Sequence, residues 1–94
     1  MDFIERLKAA VDIVKHIGEC LPLRKVGTTT YKGLCPFHIE KTPSFNVSAP
    51  HQYYKCFGCG ASGDVITFVM EFEHLTFSDA VKVLAERNGI PHPS

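Results

Sequence analysis

Cys35-Pro36-Phe37-His38 and Cys56-Phe57-Gly58-Cys59 are two pairs of metal-ligating residue types, each with two residues inside the pair and seventeen between the pairs. Such spacing belongs to structural zinc, because each pair sits on a tight turn that aims two side chains at one point. Pro36 pre-sets the backbone at the second position of the first turn, and Gly58 is expected to supply a positive φ at the third position of the second. Three thiolates and one imidazole at about 2.0 to 2.3 Å complete a tetrahedron and leave no position for a reactive water. The reading is one structural zinc ion (Zn2+) held by Cys35, His38, Cys56 and Cys59, which argues against a zinc hydrolase. Cys20 lies outside both turns and reads as a small buried hydrophobe, while His16, His51, His74 and His92 each stand without a paired partner.

Working outward, the chain of 94 residues is one domain, and at this size a core buries only about 60 to 65% of the surface the unfolded chain exposes. A metal staple supplies what such a core lacks, since structural zinc contributes about 10 to 16 kcal/mol at neutral pH. No stretch has the roughly 20 apolar residues of a membrane span, and the start, Met-Asp-Phe-Ile-Glu-Arg, lacks the pattern of a signal peptide. The expectation is a cytoplasmic protein with no membrane partner, in whose reducing surroundings Cys and His are ligands rather than disulfide partners.

The hydrophobic period divides the chain into three parts. From Asp2 to about Ile17 the spacing is helical and predicts one or two short helices, the second capped by Asp12 and ended by Gly18. Between Leu21 and Cys56, runs rich in Thr, Tyr, Val and Phe, broken at Val26-Gly27-Thr28 and Ala49-Pro50-His51, predict antiparallel strands with Phe45 and Val47 on one face. From Asp64 the helical period returns with Val65, Phe68, Val69 and Phe72. A last helix opens at the capping box Thr76-Phe77-Ser78-Asp79, buries Ala80, Val81, Leu84 and Ala85, and stops at Asn88-Gly89. The fold class is therefore α+β, a zinc ribbon with a small antiparallel sheet and flanking short helices, over residues 1–90. Residues 91–94, with two prolines, read as the start of a linker.

Formal net charge is zero, yet residues 21–60 carry five basic side chains against one acid, a local +4, while the flanks are −1 and −3. The positive charge shares its segment with the metal ligands, which points to an anionic partner for one face.

The run from Leu34 to Phe45, Leu-Cys-Pro-Phe-His-Ile-Glu-Lys-Thr-Pro-Ser-Phe, followed by Tyr54-Lys55-Cys56-Phe57-Gly58-Cys59-Gly60 and Gly63-Asp64, resembles the zinc-binding domain of bacterial DNA primase of the DnaG type. Val11-Asp12-Ile13-Val14 with Ile17-Gly18-Glu19 and the last helix extend the likeness over nearly the whole chain, and the long match favours the cellular enzyme over phage and plasmid primases. Two places depart from the family pattern: Ser48-Ala49-Pro50-His51-Gln52 has His51 where a lysine is usual, and Gly60-Ala61-Ser62-Gly63 replaces a Gly-x-Gly-Gly turn. The resemblance implies a module that recognises the single-stranded DNA template at the start site. It also implies a separate primase RNA polymerase domain, in cis or in trans, to which residues 91–94 would lead, and a replicative helicase partner reached through other parts of the enzyme. Primer synthesis needs clustered carboxylates holding magnesium. Asp64, Glu71, Glu73, Asp79 and Glu86 are instead spread along two helices, so no catalysis is expected of this chain alone.

Single strands are held by a positive groove and by aromatic faces. Arg24, Lys25, Lys32, Lys41 and Lys55 supply the charge, and Tyr31, Phe45, Tyr53, Tyr54 and Phe57 supply rings, about half of which must point inward; Tyr53 or Tyr54 is the expected exposed ring. The resemblance adds Lys41 and Ser44 to the template-facing surface. The candidate nucleic-acid residues are thus Arg24, Lys25, Lys32, Lys41, Ser44, Tyr53 and Lys55. The competing reading is a zinc-stapled protein-interaction module that touches no nucleic acid.

Overall fold

The structure is a computed structural model that describes residues 2–39 and 42–91. Lys41 and the proposed linker residues 92–94 lie outside the described residues. Two short helices, α1 (Phe3–Ala10) and α2 (Ile13–Cys20), precede five strands: β1 (Arg24–Val26), β2 (Thr30–Gly33), β3 (Phe45–Ser48), β4 (Tyr53–Cys56) and β5 (Ser62–Gly63). Helices α3 (Val65–Glu73) and α4 (Phe77–Arg87) close the chain. The strands form an antiparallel meander in the order β1-β2-β3-β4-β5, each strand pairing with the next in sequence.

Each helix begins on a side chain that accepts from its first turn. Asp2 accepts from Glu5 N, Asp12 from Val14 N, Asp64 from Thr67 N and Thr76 from Asp79 N. Gly18 does not end α2 as the sequence suggests: the helix continues through it to Cys20 and leaves through an extended Leu21. Residues Ile17 and Leu21 pack on the core and hold that extra turn, which outweighs a propensity cost of about 1 kcal/mol for an interior glycine. A long-range cap completes the start of α2. Gln52, at φ +50° in the β3–β4 turn, accepts from Ile13 N at 2.8 Å through Oε1 and donates to Ala49 O at 2.8 Å through Nε2.

Alternation in the two central strands sorts the sheet into unlike faces. Phe45, Val47, Tyr54 and Cys56 are buried on one side. They join Leu7, Ile13, Ile17, Val65, Ile66, Phe68, Val69, Ala80, Val81, Leu84 and Ala85 in one core. At about 1.5 to 3 kcal/mol per fully buried large apolar side chain, this core is what ties the helices to the sheet. Tyr54 stacks on Phe45 at 5.3 Å and meets the edge of Phe68 at 5.7 Å. The other face carries Asn46, Ser48, Tyr53 and Lys55, and none of these four belongs to the core that the helices share with the sheet. Among the described residues, no helix is long and apolar enough to cross a membrane.

Candidate metal centre and the adjoining sheet face

β2 ends at Gly33, two residues before Cys35, and β4 ends on Cys56, so the sheet itself delivers both ligand turns to one place. The ligand atoms of Cys35, His38, Cys56 and Cys59 all lie within 4.8 Å of one another. Cys35 Sγ is 3.8 Å from Cys59 Sγ, and Cys56 Sγ is 3.9 Å from His38 Nδ1. Zinc–sulfur bonds of 2.3 Å at tetrahedral angles put two sulfurs about 3.8 Å apart. The observed edge agrees, and the donor set and its closeness fit one zinc ion. When bound, the ion supplies a fourfold cross-link between the ends of β2 and β4.

Three thiolates around a divalent ion leave a net −1, and the local backbone is arranged to carry it. Phe37 N–H points at Cys35 Sγ (3.4 Å), Gly58 N–H at Cys56 Sγ (3.3 Å), and the Ser44 hydroxyl at Cys56 Sγ (3.5 Å). Burial pushes the Cys56 thiol up, but the bonds from Ser44 and from the Cys59 and Gly58 amides outweigh it and bring the group down to about 7. Cys35 goes the other way: burial pushes it up to about 12, against the single amide of Phe37. Zinc binding must therefore displace the proton that burial favours on Cys35. Phe37, inside the first turn, meets Phe68, Tyr54 and Phe45 at 5.8, 6.1 and 6.2 Å, which anchors the metal turn in the aromatic core.

Gly58 acts for a different reason than its turn position suggests. Its φ is not among the positive ones; the left-handed residue is Gly60, at +83°. A Cβ at Gly58 would instead lie 2.9 Å from His38 Nε2 and 2.9 Å from Ser44 Oγ, so close approach of the two knuckles is what requires glycine there.

The register then places the basic residues. Arg24 pairs with Lys32, Lys32 with Asn46 and Asn46 with Lys55, so the four form one row across β1 to β4 on the open face. With strands about 4.8 Å apart, the row spans roughly 14 Å. Tyr53 stands in the neighbouring row with Ser48 and Thr30 and is 40% exposed, whereas Tyr54 is 1% exposed. Lys25 pairs with Tyr31 and falls on the opposite face of the strand from Arg24. Ser44 is half-buried and turns its hydroxyl to the metal site. Phe57 is 70% exposed, with Lys55 Nζ 5.4 Å from its ring centroid. Asn46 is the residue that reading the sequence overlooks, because its place between two lysines appears only when the strands are paired.

A five-stranded meander clamped by a Cys3His site at the ends of two strands is a zinc ribbon. The chain belongs to the CHC2 zinc finger family: the family model, a zinc ribbon of the DnaG type, matches residues 1–94. Among proteins similar to it, the DNA primase of Neisseria meningitidis serogroup A is 53% identical over 92 residues, 98% of this chain and 15% of that protein. The DNA primase of Thermotoga maritima is 51% identical over 89 residues, 95% of this chain and 16% of that protein. The crystal structure of the Aquifex aeolicus primase, comprising zinc binding and RNA polymerase domains, superposes with a TM-score of 0.90 at 46% identity, covering 96% of this chain and 22% of that one. The chain thus spans about 15% of the length of the curated relatives it matches.

Proposed function

We propose that this chain is the template-recognition module of a DNA primase, holding single-stranded DNA on the open face of its sheet and working with a polymerase domain that joins ribonucleotides into a primer. The row Arg24, Lys32, Asn46 and Lys55, beside the exposed rings of Tyr53 and Phe57, carries the reading. It combines charge for the phosphates with flat apolar surfaces for the bases, the two requirements for binding a single strand. Similarity to primases, and to a structure that contains both a zinc binding and an RNA polymerase domain, supports the partnership. On this reading the zinc is structural, and the chemistry of primer synthesis belongs to the polymerase domain.

Three cations on the row predict a salt dependence of log K on log salt of about −2, at roughly −0.7 per phosphate contact. Fluorescence anisotropy of a labelled 12-mer at two salt concentrations, with and without a zinc chelator, tests it. Salt-sensitive binding that disappears with the metal is the expected result. Binding that salt does not weaken, or no binding beside a functional polymerase domain, would favour a protein-interaction module.

A further inference from the structure

Asn46 stands at the centre of the basic row, with Lys32 on one side and Lys55 on the other. Its side chain is held in place. Nδ2 donates to Ser44 O at 2.9 Å, and because a carbonyl can only accept, this bond dictates which end of the amide faces the backbone. Among the described residues nothing else bonds the second N–H or Oδ1, which leaves both for another molecule. Ser44 O also accepts from Phe57 N at 2.9 Å, and Ser44 Oγ lies 3.5 Å from Cys56 Sγ. The Ser44 carbonyl therefore holds both the Asn46 amide and the Phe57 backbone beside the metal site.

An outward amide with one donor and one acceptor matches the hydrogen-bonding edge of a nucleobase, as Asn and Gln do in bidentate base contacts. Neither flanking lysine can do this, since an ammonium offers donors only and contacts phosphate without regard to sequence. We propose that Asn46 is a specificity-determining residue, whose amide reads the edge of a base seated between Lys32 and Lys55 with the Phe57 ring beside it. The inference rests on the template-surface reading above and adds to it a division of labour between charge and base recognition. A bidentate base contact is worth about 5- to 150-fold in discrimination, and half-exposure of Asn46 places the expectation at the low end, about fivefold.

The test measures binding of the zinc-loaded chain to labelled 12-mers of dA, dC and dT at two salt concentrations, for the native sequence, Asn46→Ala and Lys55→Ala. The native chain should separate its best and worst strands by about fivefold or more. Asn46→Ala should draw them to within about twofold while leaving the salt slope in place, whereas Lys55→Ala should weaken all three alike and reduce the slope by about 0.7. Asn46→Ser, which retains a small polar group on the strand, checks that any loss is not one of folding, and it too should lose discrimination. If base preference survives in Asn46→Ala, or the native chain has none, the assignment is overturned while the template surface stands. If no strand binds with salt dependence, the template surface falls and the assignment falls with it.

Discussion

Substituting Gly58 by alanine separates two accounts of why the second knuckle contains a glycine. If the residue served a left-handed turn, Gly58→Ala would cost backbone strain in any state of the chain; the φ values place that strain at Gly60 instead. The added Cβ would meet His38 Nε2 and Ser44 Oγ, each at 2.9 Å, about half an ångström inside a comfortable contact. Without metal, no bond to zinc holds the imidazole against this overlap. With metal, His38 is fixed by its bond to zinc and Ser44 by its contact with Cys56 Sγ, so the overlap must be absorbed by the site. Overpacking of this kind costs about 1 to 3 kcal/mol, and because it falls almost wholly on the loaded form it should raise the zinc dissociation constant about 5- to 150-fold. Competition against a chromophoric chelator reads this directly. A Gly58→Ala chain that binds zinc within twofold of the native affinity would refute the close-approach argument. Gly60→Ala is the matched control. It has nothing within 4 Å of the added carbon, and its strain of about 1 kcal/mol should lower stability with a smaller change in zinc affinity.

Removing zinc altogether should unfold the ribbon, since about 10 to 16 kcal/mol of binding free energy exceeds or equals the whole stability of a small domain; retention of the native circular dichroism in excess chelator would contradict this. Gln52→Ala leaves Ile13 N–H without its acceptor and should cost about 1 to 2 kcal/mol, seen as a lower urea midpoint. His16 is buried beside Phe68, and burial, then the charge of Arg87, lowers its pKa below 6.5 against the opposing pull of Glu19 and Glu73. The unfolded chain therefore takes up a proton first, so the stability due to neutral His16 is complete above pH 6.5 and is lost as pH falls from there through the folded value. His16→Gln should flatten that part of the pH profile, and a slope unchanged by the substitution would show that other groups cause it. Arg24→Ala should reduce the salt slope for single strands by about 0.7, whereas Lys25→Ala, on the opposite face of β1, should leave it unchanged; equal effects would argue against the row.

The metal centre is legible in the sequence because its signal is local: two x-x spaced pairs need only two turns, and turns are encoded within four residues. The last helix is legible for the same reason. Thr76 caps it and Ala80, Val81, Leu84 and Ala85 are buried as the period predicts. What the sequence conceals depends on pairing. Arg24 and Lys25 are equivalent as basic residues in a run, and only the register with Lys32 and Tyr31 sends them to different faces. Gln52 carries no signal in the sequence until the fold brings it against Ile13, and Gly58 reads as a source of backbone freedom until His38 and Ser44 are placed beside it. Gly18 shows the converse, a local stop signal overridden by the tertiary contacts of Ile17 and Leu21.

Charge segregation follows from the same architecture and is what would let a chain of zero net charge hold a polyanion on the proposed template surface. Strands β1 to β4 draw their residues from the +4 segment, while α1 and α2 come from the −1 segment and the short β5 with α3 and α4 from the −3 segment. Because the helices pack on the face bearing Phe45, Val47 and Tyr54, their exposed acids, Glu71, Asp79 and Glu86, stand behind the sheet and not beside Arg24, Lys32 and Lys55. Packed layers lie about 10 Å apart. That is more than the Debye length of about 8 Å at physiological ionic strength, so the acidic layer does little to cancel the field in front of the open face. Lowering the salt lengthens the screening distance and would strengthen the proposed phosphate contacts, but it also lets the helical acids be felt across the sheet. The gain in affinity should therefore level off at low ionic strength, at about 0.01 M where the Debye length reaches roughly 30 Å. A chain with Glu71, Asp79 and Glu86 changed to Gln, Asn and Gln should continue to gain where the native chain levels off. Identical curves for the two would mean that the layers do not communicate electrostatically at any salt concentration.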